Sequence, residues 1–352
     1  MGSRTPTEVN IRAALFASAM LLFLSIHGCV ATTLPTSTQV KRVPELPRWL
    51  STTICFASAQ EAAQLLGAED EYTRRMTPLD RSLRVRTSMP ITTREHLQHA
   101  SQAAVDWTSQ ELTQWSPAIQ QIAEALHGLA IPLPARIVLI RTNGEDELNA
   151  NYTRSHGIIL PRVPSSPTYT PNIVSLLAHE LFHIASRVGP TSFRDTTYAL
   201  AGFHRVTPGP MPPAFEYRRL TNPDALTHHH AVKVRSRNQG YVLVVPVLSS
   251  RLSQKELTRN TTLQRAVDLR LAPLSAAGIF QIDDEQLMTM PVSDTNYAAI
   301  TSLNTRYIIH PEEILADNFA LLIQHRAGYQ ITIDHPKILD RLLMILRERD
   351  SS

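Results

Sequence analysis

The sequence predicts an α+β fold with a small mixed sheet, one buried helix that carries two histidines, and a mainly helical second half. Two short runs rich in β-branched residues, 136–141 and 157–160, are followed by turn residues and predict strands. Between 104 and 129, apolar residues recur at three- and four-residue steps, which is typical of a packed helix. A further apolar segment, 170–189, has helix start and stop signals at its ends.

The composition is that of a folded protein. The chain has 352 residues, of which 43% are hydrophobic and 18% are charged, a balance too apolar for a disordered protein. The formal net charge is +3, and the basic residues are scattered without a clustered stripe or interleaved aromatic residues. This pattern argues against a nucleic-acid partner.

The N-terminus has the features of an export signal. Two arginines precede an apolar run, 13–26, that suits a signal-peptide core and is short for a membrane span. The run leads into L-S-I-H-G-C, which resembles a bacterial lipobox, so that Cys29 is the expected site of lipidation. The alternative is plain signal cleavage nearby, which leaves Cys29 able to pair with Cys55, the only other cysteine.

These features predict a protein of the cell envelope that is anchored in a membrane through the lipid on Cys29. Because Val30 rather than aspartate follows the cysteine, the resemblance to Gram-negative lipoproteins favours the outer membrane, facing the periplasm. The sequence divides into a signal peptide with lipobox at 1–29, a flexible tether at 30–50 and a folded domain at 51–352.

The motif H-E-L-F-H at residues 179–183 is the strongest chemical signal in the chain. His179 and His183 are four residues apart on a segment with helix signals, so both rings project from one face and can reach one ion. The surrounding residues are apolar, which predicts that the helix is buried. Two buried imidazoles and a carboxylate need partners, and a metal ion supplies them.

A third ligand is expected from the helix that Pro311 begins. Glu313 and Asp317 are four residues apart and share a face, so Glu313 can bind the ion while Asp317 accepts the second ring N–H of a ligating histidine. Glu312 is a rival ligand, but it has no aspartate at this spacing. The alternative for all three is an acidic first turn that complements the helix dipole.

The two motifs together resemble those of the gluzincins, the thermolysin-like group of zinc metallopeptidases. The E-x-x-A-D form at 313–317 is similar to that of HtpX-type peptidases and their soluble periplasmic relatives, and the longer run through 320 is similar to the ImmA-type peptidases. The resemblance implies three zinc ligands, a general base and an aspartate that supports the first histidine, namely His179, His183 and Glu313, then Glu180, then Asp317.

The resemblance also implies a zincin-like fold, in which an edge strand, here expected near 157–160, borders the cleft and pairs with extended substrate. About 130 residues separate the two motifs, more than in thermolysin-like enzymes, so 190–300 is interpreted as an insertion. The implied activity is that of a zinc-dependent endopeptidase acting on protein or peptide in the envelope. In the implied mechanism, zinc would polarise the scissile carbonyl and Glu180 would move a proton from water to the leaving amine.

Peptide hydrolysis also needs a group that stabilises the oxyanion. Tyr307, His310 and Tyr297 are candidates because they precede the helix of the third ligand, although each residue type is more often found in a core or at a rim. Three adjacent histidines, 228–230, are interpreted as a surface loop because neighbouring side chains diverge, with His230 the most plausible exception.

Two other functions stay open at this point. The first is a non-catalytic envelope lipoprotein, stabilised by zinc, that acts as an assembly or binding factor. Glu180 argues against it, because a structural zinc site does not need a base beside its ligands. The second is hydrolysis of a non-protein amide such as a cell-wall peptide.

Overall fold

The structure is a computed structural model that describes residues 41–42, 46, 51–163 and 166–347. The predicted signal peptide with Cys29, and most of the predicted tether, lie outside these residues. Within the tether range, Lys41–Arg42 form a strand that pairs with the strand at 53–56, and Leu46 packs against the main core. The backbone groups at the edge of the neighbouring strand pair with the chain at these residues, and the flexible tether at 30–50 stays a prediction.

The described residues form twelve strands and twelve α-helices. The strands are β1 (Lys41–Arg42), β2 (Thr53–Phe56), β3 (Arg136–Thr142), β4 (Tyr152–Arg154), β5 (Gly157–Pro161), β6 (Phe203–Arg205), β7 (His230–Ser236), β8 (Gly240–Ser250), β9 (Val267–Pro273), β10 (Ile282–Asp283), β11 (Gln286–Leu287) and β12 (Met290–Pro291). The helices are α1 (Ala59–Gly67), α2 (Glu71–Arg75), α3 (Pro78–Arg84), α4 (Thr93–Gln102), α5 (Ser109–Ala125), α6 (Thr170–Val188), α7 (Thr191–Ala199), α8 (Pro213–Arg218), α9 (Leu263–Ala266), α10 (Tyr297–Thr301), α11 (Pro311–Arg326) and α12 (Pro336–Leu346). The α+β class is confirmed.

The first sheet is mixed, with the strand order β1-β2-β3-β5-β4. Strands β2, β3 and β5 are parallel, while β1 and β4 are antiparallel to their neighbours. The strand predicted at 157–160 is confirmed as β5, but it lies inside the sheet, and the edge strand is β4. The difference arises at Ser155, whose φ of 53° lets the chain reverse over two residues and add β4 outside β5.

Helix α6, which carries the histidines, packs against both α5 and α11. Their apolar faces share one core with the first sheet, and Phe182 of α6 meets Phe319 of α11 at a ring distance of 5.7 Å. Helix α5 is continuous through Pro117. Among the described residues, no helix combines the length and the hydropathy that a bilayer span requires.

The second sheet is antiparallel, with the strand order β12-β9-β8-β7-β6, and lies within the segment predicted as an insertion. The second half is therefore not wholly helical, since it contains this sheet together with helices. Valine alternates with polar residues in 232–236, and 241–248 is rich in valine, so both stretches favour strands over helices. Val232, Val244 and Leu271 of this sheet are buried in the same core as the histidine helix.

Candidate metal centre

Helices α6 and α11 bring three of the predicted ligands to one point. The Nε2 atoms of His179 and His183 lie 3.3 and 3.4 Å from the same Oε2 atom of Glu313. These separations are long for a hydrogen bond. They match the separation of about 3.4 Å between two ligands of a tetrahedral zinc ion, whose ligand distances are roughly 2.0 to 2.1 Å. The three donor atoms are therefore placed as co-ligands would be.

The first histidine is oriented by Asp317. Its Nδ1 donates to Asp317 Oδ1 at 2.8 Å, and the other carboxylate oxygen accepts a hydrogen bond from the Thr305 hydroxyl. This arrangement keeps a proton on Nδ1 and turns Nε2 towards Glu313. The structure therefore places Asp317 where the sequence analysis expected it.

The second histidine is oriented by Glu312. His183 Nδ1 donates to Glu312 Oε1 at 2.9 Å, and Glu312 Oε2 accepts hydrogen bonds from Ser186 and Tyr198. Glu312 thus supports a histidine and lies on the far side of the ring from Glu313, because consecutive residues on a helix point about 100° apart. Sequence reasoning left Glu312 as a rival ligand, since its partner lies 129 residues away in the chain.

Glu180 is buried beside the cluster with one oxygen unpaired. The residue is 3% exposed, and its Oε2 has no hydrogen-bond partner among the described residues. Burial, followed by the nearby charge of Asp224, raises the pKa of Glu180 to about 8. A buried carboxylate oxygen without a partner costs free energy, so it marks a place where a ligand, an ion or water is expected.

The electrostatics of the cluster favour positive charge. Burial alone would lower the pKa of His179, but the nearby carboxylates of Asp317 and Glu313 raise it to about 10. The pKa of His183 is also raised against burial, by the charges of Asp224 and Glu313. Conversely, both histidines hold the pKa of Glu313 below its usual range although burial opposes this. A divalent cation would supply the charge that these groups stabilise.

Two polar residues from the turn-rich segment 219–227 also reach the cluster. Asn222 donates its side-chain amide to Glu313 Oε1 at 2.6 Å. Asp224 accepts the backbone N–H of Thr153 at 2.8 Å, and its carboxylate lies within 4.8 Å of donor atoms of Glu180 and His183. Sequence reasoning missed both residues because turn-rich chain has no periodicity that would place them.

Tyr307 is the one predicted oxyanion stabiliser that lies against the cluster. Its ring stacks on His179 with a centroid distance of 6.5 Å and an interplanar angle of 26°. Burial, and then the carboxylates of Glu313, Asp224 and others, raises the pKa of its hydroxyl, so the phenol keeps its proton. The hydroxyl has no hydrogen-bond partner among the residues that the structure describes, and it is free to donate to a ligand.

The other two candidates are used in the fold. Tyr297 is fully buried, and its hydroxyl donates to the Ile308 carbonyl at 2.8 Å. His310 caps α11 by accepting the Glu312 N–H at 3.1 Å on Nδ1, and its Nε2 donates to the Thr227 carbonyl at 3.2 Å. Both ring nitrogens of His310 are engaged, which leaves no N–H for an oxyanion.

The three adjacent histidines do not join the metal cluster. His230 begins strand β7 and is buried, so it is the exception to the predicted surface loop, while 228 and 229 lie outside any strand. Its Nε2 lies 2.8 Å from Asp195 Oδ1, and its ring contacts Tyr198 edge-on at 4.7 Å. Tyr198 in turn donates a hydrogen bond to Glu312, the residue that orients His183. His230 therefore packs against this hydrogen-bond network and not against the ion-binding atoms.

Comparison with protein-family models, with curated proteins and with solved structures finds no match. The resemblance to gluzincins therefore remains a prediction. The geometry of the cluster is what supports a function: three converging donor atoms, a carboxylate partner for each histidine, and a buried glutamate with an unpaired oxygen.

Proposed function

We propose that the protein is a zinc-dependent peptidase that acts on protein or peptide substrates in the cell envelope. The observation that carries the proposal is the convergence of His179 and His183 on one oxygen of Glu313, with Glu180 unpaired beside them. A structural metal site needs the first three residues but not the fourth. The unpaired carboxylate favours a catalytic site over a zinc-stabilised binding or assembly factor.

The donor set suits zinc. Two imidazole nitrogens and one carboxylate oxygen, with a remaining position for water, are a common ligand set of hydrolytic zinc sites. When bound, zinc would supply a Lewis acid that lowers the pKa of water and polarises a carbonyl. Glu312 and Asp317 would hold both histidines in the tautomer that presents Nε2.

Glu180 and Tyr307 provide the proton transfers and hydrogen bonding. The Glu180 carboxylate accepts a proton from the attacking water and passes it to the nitrogen of the leaving amine. The hydroxyl of Tyr307 donates to the oxygen on which negative charge develops. Glu180 is buried, and Tyr307 is partly buried with its ring stacked on His179, so both groups are held beside the cluster before substrate binds.

We also propose export and a lipid anchor at Cys29, with the membrane as the partner of that anchor and no nucleic-acid partner. Radiolabelled palmitate in a bacterial host tests the anchor. Incorporation into the wild type and its loss in Cys29→Ser would support lipidation, whereas a soluble exported wild type would favour plain signal cleavage.

The peptidase proposal is tested by cleavage of casein and of a mixed peptide library. We expect the zinc-loaded protein to cleave, a chelator to stop cleavage and added zinc to restore it. Glu180→Gln should keep zinc and lose cleavage, because it removes the proton acceptor but no ligand. Zinc binding without cleavage in the wild type would instead favour the structural role, and cleavage of peptidoglycan fragments alone would favour a cell-wall substrate.

A further inference from the structure

The segment 219–227 forms a fixed wall beside the metal cluster. The backbone of Thr221 is bonded on both sides, since its N–H donates to Asp80 Oδ2 at 2.8 Å and its carbonyl accepts from Arg84 at 2.8 Å. Asp80 and Arg84 are a buried ion pair of helix α3, with an N–O distance of 3.1 Å. Because both partners are buried and mutually paired, they hold the wall in one position.

Further bonds fix the wall along its length. Arg187 of α6 donates to the Pro223 carbonyl at 3.1 Å, and Arg75 donates to the Leu226 carbonyl at 3.3 Å. Asn222 is bonded to Glu313. Because it is anchored to several separate elements, this segment is a fixed side of the site and does not swing away as a free loop would.

The wall occupies the edge strand where a peptide would bind. The backbone groups of Thr153 that point away from β5 are already used, since the N–H donates to Asp224 at 2.8 Å and the carbonyl accepts from Arg187 at 3.4 Å. An extended peptide that pairs with a sheet edge needs these same groups. A substrate therefore cannot continue along β4 past Thr153.

In this wall, Asp224 lies about the length of one extended residue from the metal cluster. A carboxylate oxygen of Asp224 lies within 4.8 Å of a His183 nitrogen and of a Glu180 oxygen, whereas one extended residue spans about 3.4 Å. The α-nitrogen of a terminal residue is two bonds from its carbonyl carbon. A peptide with its first carbonyl at the cluster would therefore place its amino terminus against Asp224.

The charge on this wall selects between the two ends of a peptide. The hydrogen bonds to Asp224 reach Oδ1 only, so Oδ2 remains an open acceptor among the described residues. Arg187 lies 3.8 Å from Oδ1 of Asp224, and its two terminal nitrogens donate to the backbone of Ser155, Thr153 and Pro223. The wall therefore offers a carboxylate to an ammonium group and offers no free guanidinium to a carboxylate.

We propose that Asp224 is a specificity-determining residue that binds the α-ammonium group of a substrate, so that the site removes the N-terminal residue of peptides. This proposal rests on the peptidase function above, and it replaces the expected endopeptidase activity with an aminopeptidase activity. The oxygen of water bonds to the carbonyl carbon of the first residue, and the peptide C–N bond between the first and second residues breaks. The released amine takes the proton that Glu180 accepted from the water.

Two peptides of one sequence test the proposal, one with a free amino terminus and one acetylated. The zinc-loaded wild-type protein should release the first residue of the free peptide, with kcat/KM about 10- to 100-fold lower for the acetylated one, because a charged hydrogen bond is lost. Equal rates, or internal cuts ahead of terminal ones, would overturn the role of Asp224 and leave the peptidase function standing. No cleavage of either peptide or of casein by a zinc-loaded protein would overturn both.

Binding to an inactive protein gives a second readout. In the Glu180→Gln background, the labelled free peptide should bind about 10- to 100-fold more tightly than the acetylated peptide. Adding Asp224→Asn, which keeps an acceptor for Thr153, should abolish that difference. Adding Asp268→Asn, in an ion pair with Arg251 on the second sheet, should preserve it. A preference that survives Asp224→Asn would contradict the assignment.

Discussion

Glu312 accepts the Nδ1–H of His183 at 2.9 Å, while its neighbour Glu313 faces Nε2 of the same ring at 3.4 Å. Two consecutive glutamates thus contact the two different ring nitrogens of one histidine. The helical rotation between them separates the roles, since one carboxylate fixes the ring and the other joins the ion-binding atoms. Asp317 does for His179 what Glu312 does for His183.

Removing either supporting carboxylate should weaken zinc binding without abolishing it. We expect Glu312→Gln and Asp317→Asn each to lower zinc affinity about 10- to 100-fold, because the imidazole loses the partner that fixes its tautomer. Glu313→Ala should lower it further. Competition with a chromophoric chelator measures all three. A larger loss in Glu312→Gln than in Glu313→Ala would reverse the roles assigned to the two glutamates.

Substitutions of Tyr307 and Tyr297 should have different effects, the first on catalysis and the second on stability. Tyr307→Phe is expected to lower kcat by about 100- to 1,000-fold with zinc content unchanged, because the transition state loses one hydrogen-bond donor. Tyr297→Phe is its matched control, since it should leave kcat intact and lower the free energy of unfolding by about 1 to 3 kcal/mol as the Ile308 carbonyl loses its partner. Steady-state kinetics and urea unfolding distinguish the two, and an unchanged kcat in Tyr307→Phe would contradict its role.

The local parts of this arrangement can be predicted from the sequence, and the long-range parts cannot. The four-residue spacings of His179 with His183 and of Glu313 with Asp317 place each pair on one helical face. The helix bounds follow from proline and glycine signals near 171, 189 and 311. These features depend on neighbours in the chain.

The other features of the site and of the first sheet depend on contacts between segments that are distant in the sequence. Asn222 and Asp224 come from chain without periodicity, and their partners, Glu313 and Thr153, are 91 and 71 residues away. The position of β5 inside the sheet depends on the hairpin at Ser155, which no strong turn dipeptide marks. Sequence periodicity predicts which face of a helix or strand is buried, but it does not predict which other element packs against that face.

Asn222 should contribute to the stability of the zinc-free protein. Asn222→Ala leaves the buried Oε1 of Glu313 without its donor, so the free energy of unfolding should fall by about 1 to 3 kcal/mol. Asn238→Ala, at an exposed turn between β7 and β8, is the control and should change it little. Urea unfolding of both variants after chelator treatment makes the comparison, and equal stabilities would mean that the Asn222 bond is not formed in solution.

Glu111 should make a pH-dependent contribution to the free energy of unfolding. Burial opposes ionisation, but hydrogen bonds from Arg162 and Thr108 and the charge of Arg141 lower the pKa of Glu111 to about 2. A carboxyl group whose pKa is depressed by folding stabilises the protein above its unfolded pKa and loses that contribution as pH falls.

Glu111→Gln should therefore cost about 1.5 to 3 kcal/mol at neutral pH. The difference from the wild type should shrink between pH 4.5 and about 2, as the carboxyl group of the wild type is protonated. Urea unfolding at several pH values measures this difference. A difference that stays constant over that interval would show that the group does not titrate as its contacts predict.

Zinc content combined with X-ray absorption at the zinc edge tests the metal centre most directly. For the purified wild type we predict one zinc ion per chain, with nitrogen and oxygen ligands at roughly 2.0 to 2.2 Å, scattering from two imidazoles and no sulfur ligand. His183→Ala and Glu313→Ala should lose the ion. A sulfur ligand, or full zinc content after both substitutions, would contradict the assignment of His179, His183 and Glu313 as its ligands.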